Sequence, residues 1–307
     1  MKKEQNWAVI LNPTAGNGFA GKFADTLRKK FEDNGIEAEW AFTERKGHAS
    51  DLARSFSEQG FKYIIGVGGD GTMNEIASPL IENTEVTLGL IPAGTGNDFN
   101  QILGFPDRFE DKDWEIFFKA ETHLMDSGYC NSKPFLNGLG IGFDAQVAAA
   151  NYDETGEVKK GGKDKYLWHI LTILLFFREK KMIITTKEGK RETDCFINTV
   201  SIGRRFAGGF YLTPKAIADD GLLDVCNIRK LSILRRLKIL TMVPKGTHLK
   251  DSKVNYYQTD KIYLEFPEKV PFHVDGELFF AREFDISLKP KAIKIIYNPN
   301  GKHFFKV

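Results

Sequence analysis

Three cysteines in 307 residues are too few, and odd in number, for a disulfide framework. Cys130, Cys195 and Cys226 lie far apart and form no C-x-x-C pair, so a zinc site of that kind is excluded too. The six histidines show no metal-ligand spacing. An excess of charge is also missing: 43 basic against 41 acidic residues leave +2, which removes the global reason to expect nucleic acid. Long hydrophobic runs are absent. Tyr166 to Phe177, YLWHILTILLFF, falls short of the about 20 residues that a bilayer-spanning helix needs. We expect no transmembrane segment and read this stretch as a buried helix. MKKEQNW is followed by only a short apolar stretch, Ala8 to Leu11, which is not a signal peptide, so the expected location is cytoplasmic.

What is present is a grammar of alternating strands and helices. Trp7 to Leu11, Ile36 to Phe42, Phe61 to Val67 and Val86 to Ile91 read as strands, with helices expected over Lys22 to Asn34, Ala49 to Glu58 and after Thr72. Apolar strands that do not alternate imply a mainly parallel sheet covered on both faces. Ligands of such sheets bind beyond the carboxyl ends of the strands. Four polar or glycine-rich turns belong there: NPTAGNG (Asn12 to Gly18), Thr43-Glu44, GGDGT and PAGTGNDF (Pro92 to Phe99).

From about Asp126 the segments become short and often alternating, which predicts antiparallel pairing. They are Lys133 to Leu136, Met182 to Thr186, Phe196 to Ile202, Leu222 to Ile228, Val254 to Tyr257, Lys261 to Phe266 and Phe284 to Leu288. Helices are expected near 145–152, 163–178 and 232–243. We therefore divide the chain into 1–125 and 126–307, with 290–307 returning toward the first domain.

GGDGTMNE, Gly68 to Glu75, is the most informative segment. Its glycines let peptide N–H groups converge on an anion at a helix N-terminus. Asp70 in the same loop would repel bare phosphate, so the combination asks for a cation beside a nucleotide. PAGTGNDF would add Thr95 and further N–H groups, with Asn97 and Asp98 toward the acceptor. Two other matches fail. Gly16-x4-Gly21-Lys22 lacks the Ser or Thr of a Walker loop, since Phe23 follows, and Lys22 reads as an exposed helix residue. Gly66-x-Gly68-x-x-Gly71 has Ile91 where a dinucleotide fold needs an acid.

In the rear half GLGIGFDA (Gly138 to Ala145) places Asp144 near a helix start, where capping is its plain explanation. ADDGLLD (Ala218 to Asp224) is a turn rich in carboxylate, and Asp220 with nearby carbonyls suits a hard cation such as Mg²⁺. HVDGELF (His273 to Phe279) reads as an Asp-Gly hairpin. The turn does not require Glu277, whose burial beside apolar neighbours would raise its pKa toward that of a usable base. Arg229 to Leu240 is basic and amphipathic. Its plain reading is a surface helix packing its Leu/Ile stripe inward, against an interfacial patch for anionic lipid.

Taken in order, NPTAGNG, Thr43, GGDGTMNE, PAGTGNDF, GLGIGFDA, ADDGLLD and VDGE resemble the diacylglycerol kinase catalytic-domain family of soluble lipid kinases. The resemblance implies an α/β domain like those of phosphofructokinase and NAD kinase, then an antiparallel β-sandwich domain with inserted helices, and ATP in a cleft between them. Asn12, Pro13, Thr14, Ala15, Gly16, Thr43, Gly68, Gly69, Asp70, Gly71, Thr72, Met73, Asn74, Glu75, Gly94 and Thr95 match nucleotide-binding positions. Glu277 matches the proton acceptor, with Asp275 as the other catalytic candidate. Asn97, Asp98 and Asp144 fall on the substrate side. Ile217 and Leu222, through carbonyls, and Asp220 match a structural magnesium site. ATP and Mg²⁺ are the implied cofactors, and a lipid at the membrane surface is the implied partner. Peripheral membrane association and a homodimer are both compatible with this reading. Ile202-Gly203-Arg204 and Ala207-Gly208-Gly209 depart from the family's Asn-Gly-Arg and triple glycine, so the acceptor lipid is left open. The rivals are an NAD kinase or a phosphofructokinase-like sugar kinase, and a non-catalytic nucleotide- or lipid-binding regulator.

Overall fold

The computed structural model describes residues 6–150 and 163–306. It divides into two compact units, one of residues 1–127, 217–221 and 289–307, the other of 128–216 and 222–288.

In the first unit β1 (Trp7–Leu11), α1 (Ala15–Asp33), β2 (Ala38–Phe42), α2 (His48–Glu58), β3 (Tyr63–Gly68), α3 (Asp70–Ala77) and β4 (Thr87–Pro92) alternate. The strands lie parallel in the order β4-β3-β1-β2, with β1 and β4 wholly buried. This is the doubly covered sheet that non-alternating apolar strands require. α1 begins earlier than expected because Gly16, Asn17 and Gly18 form a left-handed turn (φ 62°, 57° and 85°) before the right-handed helix. Its end at Gly35 (φ 67°) follows the usual left-handed exit.

Two helices here were not expected, α4 (Asp98–Ile102) and α5 (Asp111–Lys119). The signal for α5 is a capping box, Glu110 reciprocated by Asp113. β5 (Thr122–Cys130) then leads toward the second unit.

That unit contains β6 (Lys133–Phe135), β7 (Gly138–Gly142), α6 (Phe143–Ala150), α7 (Lys163–Phe176), β8 (Lys180–Thr186), β9 (Gly189–Cys195), β10 (Ile197–Ser201), β11 (Leu223–Ile228), α8 (Ile233–Met242), β12 (Val254–Thr259), β13 (Lys261–Val274) and β14 (Glu277–Ile296). The helix expected to run to 152 ends its described part at Ala150, and the rest lies outside the described residues. Pairing is antiparallel in the order β12-β11-β10-β7-β13-β14. β13 also pairs with β8 through Tyr263 to Glu265, and with β7 through Phe272 to Val274. Between those stretches its register with β14 shifts, at the segment holding Pro267. Such a break lets one strand serve two layers of a sandwich. The last part of β14 belongs to the first unit, where Lys294 and Ile295 pair in parallel with Thr87 and Leu88 of β4.

Two readings are corrected. YLWHILTILLFF is helical up to Phe176 but not simply buried: Leu174 is enclosed while Leu171, Leu175 and Phe176 are exposed. α8 does not turn its whole Leu/Ile stripe inward either. It buries Arg236 and Ile239 and exposes Ile233, Leu234 and Leu237. The reason is Arg236, whose buried hydrogen bonds set the inward face.

Candidate functional site

In the first unit the four turns sit at the carboxyl ends of four adjacent parallel strands, and backbone bonds stitch them together. Asn12 N donates to Val67 O, Thr43 N to Leu11 O, and Ala93 N and Gly94 N to Gly68 O. Asn12 Oδ1 accepts from Thr14 N (3.1 Å) and Thr14 Oγ1 (2.8 Å), while its Nδ2 donates to Thr72 Oγ1 (3.1 Å). That amide ties the first loop to the helix of GGDGTMNE. Glu75 Oε1 accepts Gly47 N at 3.0 Å and so fixes the segment that follows Thr43.

Asp70 is the hinge of the cluster. Its Oδ2 accepts Asp98 N (3.0 Å) and its Oδ1 accepts Phe99 N (2.9 Å), so one carboxylate receives the N-terminus of α4.

The glycines divide by purpose. A Cβ on Gly94 would run into the Gly69 backbone, 2.8 Å from its nitrogen, and one on Gly69 would lie 2.7 Å from Gly96 O. A Cβ on Gly16 would strike Ala93 O. These residues let three loops touch. Gly71 is different: it is exposed and a Cβ there meets nothing within 4 Å. Thr14 and Thr95 are exposed beside it in the loop set, Pro13, Ala15 and Asn74 are half-buried, and Met73 is core.

Asn97 and Asp98 are buried. Asn97 bonds both polar groups of Gly94, accepting its N–H (3.2 Å) and donating to its carbonyl (3.1 Å). Arg108 donates to Gly94 O (2.8 Å) and Pro92 O (3.2 Å), and its guanidinium covers the Phe19 ring. Arg108 carried no sequence signal, because its partners are backbone atoms brought close only by folding.

In the second unit the VDGE segment is a two-residue hairpin, with Asp275 (φ 44°) and Gly276 (φ 87°) both left-handed and Val274 opposite Glu277. That is the turn which matches strand twist. Asp275 accepts three backbone N–H groups, from Leu136 (2.7 Å), Asn137 (3.1 Å) and Gly138 (2.8 Å). Asn137 in turn holds the neighbouring loop: its carbonyl accepts Ile202 N and Gly203 N, and its Nδ2 donates to Arg205 O. Glu277 is half-buried at the start of β14, less enclosed than its apolar neighbours suggest. Asp144 lies in the first turn of α6 rather than at a cap, with Oδ2 3.2 Å from His273 Nε2. Gly140 stands beside this pair with no room for a Cβ.

A buried carboxylate that the motifs did not include sits in the middle of β5. Asp126 is fully enclosed in the first unit and accepts Gly221 N and Lys291 N, both at 2.8 Å. Burial pushes its pKa up, against those two hydrogen bonds, and the charges of Asp219 and Asp220 push it further. Asp219 is itself held by His123 Nε2 and Lys306 N, both at 2.7 Å. Ile217 and Asp220 belong to this segment, and Leu222 opens the next stretch of the second unit. Among the described residues no three His, Cys, Asp or Glu side chains gather as a metal cluster, so a cation here would rely on carbonyl oxygens. The sequence marked the ADDGLLD turn of this site but not Asp126, the lone carboxylate of its strand.

Residues 6–130 match the family model "Diacylglycerol kinase catalytic domain", and residues 138–297 match "YegS C-terminal NAD kinase beta sandwich-like domain". The chain is 27% identical over 271 residues to the diacylglycerol kinase of Bacillus subtilis strain 168, covering 88% of each chain. It is 29% identical over 300 residues to a protein of Enterobacter sp. strain 638 named "Probable lipid kinase YegS-like", covering 95% of this chain and 96% of the other. A solved structure of a diacylglycerol kinase from Bacillus anthracis str. Sterne shares the fold, with a TM-score of 0.72, 21% identity, and 97% and 99% of the two chains covered. A second solved chain from that organism reaches a TM-score of 0.79 at 23% identity, covering 98% and 99%.

Proposed function

This chain belongs to the diacylglycerol kinase catalytic-domain family, with a YegS-type C-terminal domain, and from that premise we propose that it transfers the γ-phosphate of ATP to a lipid hydroxyl, first of all that of diacylglycerol. The observation that carries the reading is the loop set around Asp70. Two glycine-rich turns are locked together through one carboxylate, while Gly71 keeps an open face at the start of α3. Exposed peptide N–H groups at a helix start suit phosphate. Asn12, Thr14, Thr43, Thr72 and Thr95 supply polar groups around them.

Asp70 fits Mg²⁺ by chemistry, since carboxylate oxygens are the hard donors that ion prefers. When bound beside the triphosphate, the ion supplies neutralisation of phosphate charge. For a structural Mg²⁺ the donors would be Asp220 and the carbonyls of Ile217 and Leu222.

Glu277 accepts the proton of the lipid hydroxyl as that oxygen attacks phosphorus in line. Asp275 is the poorer base because its oxygens are engaged by three backbone donors, and its part is to hold the hairpin that presents Glu277. Asn97 and Asp98 act through loop shape rather than direct contact with the acceptor, and Asp144 with His273 lines the second unit's share of the substrate side. Most of the catalysis is positioning and charge stabilisation.

The test is phosphate transfer from labelled ATP to detergent-dispersed lipids, NAD and sugar, with the products separated by thin-layer chromatography. Labelled phosphatidic acid is expected. Label in NADP or a sugar phosphate would move the chain to another kinase class, and no ATP consumption with any acceptor would leave a binding protein.

A further inference from the structure

α7 and α8 in the second unit turn large apolar side chains toward solvent. Leu234 is 80% and Phe176 77% exposed, and Leu171, Leu175, Ile233 and Leu237 are exposed with them. On each helix the pairs are one turn apart, 171 with 175 and 233 with 237, so each presents a face and not a stray residue. Clusters of this kind on a soluble chain mark an interaction surface.

Arg236 joins the two helices. Its buried guanidinium donates to the carbonyls of Leu174 and Phe177 at the end of α7 and pairs with buried Glu179 at 2.7 Å. Glu179 also accepts the N–H of Leu231, just before α8. A buried, hydrogen-bonded ion pair is a poor source of stability but a good fixer of geometry. Here it holds the end of α7 against α8, so their outward faces stay together.

Among the described side chains, the exposed charges at the end of α7 and along α8 are basic. Arg178, Lys230 and Lys238 are exposed, α8 contains no acidic residue, and the acids in contact with it, Glu179 and Asp251, are taken by Arg236 and Arg235. Two copies meeting through this face would bring like charges together. An anionic bilayer would not.

We propose that the paired faces of α7 and α8 dock on the surface of an anionic lipid bilayer, with Phe176 and Leu234 entering the headgroup boundary and Arg178, Lys230 and Lys238 against the phosphates. This deepens the lipid-kinase reading and rests on it for its purpose, but the docking needs neither ATP nor an acceptor.

Co-sedimentation without nucleotide, using vesicles of phosphatidylcholine alone or with about one-third phosphatidylglycerol, tests it directly. The native chain is expected to sediment with the anionic vesicles, less so with neutral ones, and to be released by salt. Phe176→Glu with Leu234→Glu is expected to weaken partitioning at least about tenfold. Lys238→Glu alone should weaken anionic binding about fivefold or more. Thermal melting confirms that the variants fold, and if the double variant does not, Lys238→Glu and the salt response decide. Native protein left in the supernatant with anionic vesicles would overturn the proposal, as would variants that sediment like the native chain. A dimer in solution that these substitutions dissociate, with no vesicle binding, would give the face to a second copy. A kinase assay that fails while vesicle binding holds would sink the functional reading alone.

Discussion

The dipeptide Asp-Gly stands at the centre of each unit and builds opposite structures. Asp70-Gly71 opens α3, whereas Asp275-Gly276 closes a hairpin with both residues left-handed. The following residues decide which: MNEIA continues as a helix with Met73 and Ile76 buried, and ELFF continues as a strand. The carboxylates nevertheless share a task. Asp70 gathers two backbone N–H groups from 28 and 29 residues away, and Asp275 gathers three from 137 to 139 residues away. An acid in a glycine turn is thus first a device for holding backbone, and any chemistry falls to what it leaves free. On the proposed reading Asp70 also serves the metal in the first unit, and in the second Glu277 is the base beside an anchored Asp275.

The largest effect should follow from breaking this division of labour. Glu277→Gln is expected to cut turnover by about 10²- to 10⁴-fold, about 3–5 kcal/mol, with ATP binding and melting temperature unchanged. Near-normal kcat would remove Glu277 from the proton transfer. Asp275→Ala should act on stability instead. It strips the acceptor from three backbone N–H groups, and a loss of about 2–4 kcal/mol in urea unfolding is expected. An unaltered unfolding midpoint would show that the hairpin does not depend on its anchor.

Two glycine substitutions sharpen the contrast within the first unit. Gly94→Ala forces apart two touching backbones and should destabilise the chain by about 1–3 kcal/mol. Gly71→Ala meets open space, so the fold should be kept while nucleotide affinity, measured by calorimetry, falls. Equal effects on melting would mean that both glycines serve packing.

The smallest effect concerns His248, enclosed in the second unit with Nε2 3.1 Å from Leu212 O. Burial pushes its pKa below the usual 6.5. A depressed folded-state value means that the unfolded chain takes the proton first. This contribution is therefore whole above pH 6.5 and is lost as pH falls from there through the folded value. The urea midpoint should decline across that window, and His248→Gln should flatten the decline. An identical slope in the variant would assign the pH response to other groups.

The α/β class of the first half was legible because buried parallel strands must be continuously apolar, as in WAVIL and YIIGVG. The family was legible because its motifs are backbone chemistry written in glycine, asparagine and aspartate. α5 and β9 were missed for different reasons. α5 is short and its signal lay in a capping box, while β9, GKRETDC, is mostly solvated and owes its strand to pairing with β8. Asp126, Asp219, His123 and Arg108 escaped notice because every partner that gives them meaning is remote in the chain. The outward turn of α7 and α8 escaped for the same reason: amphipathic spacing marks a face, and only the placement of Arg236 decides which face is inside.

The order of residues by itself determined where the chain must bend and which bends are polar, because glycine, proline and short polar side chains act on the torsions beside them. It also determined that the strands of the front half are enclosed, since a run of apolar side chains on both faces has no other stable place. Only the tertiary structure decided what each carboxylate holds. Hydrogen bonds are short and directional, and the donors that Asp70, Asp126 and Asp275 accept come within reach only after the sheets have formed.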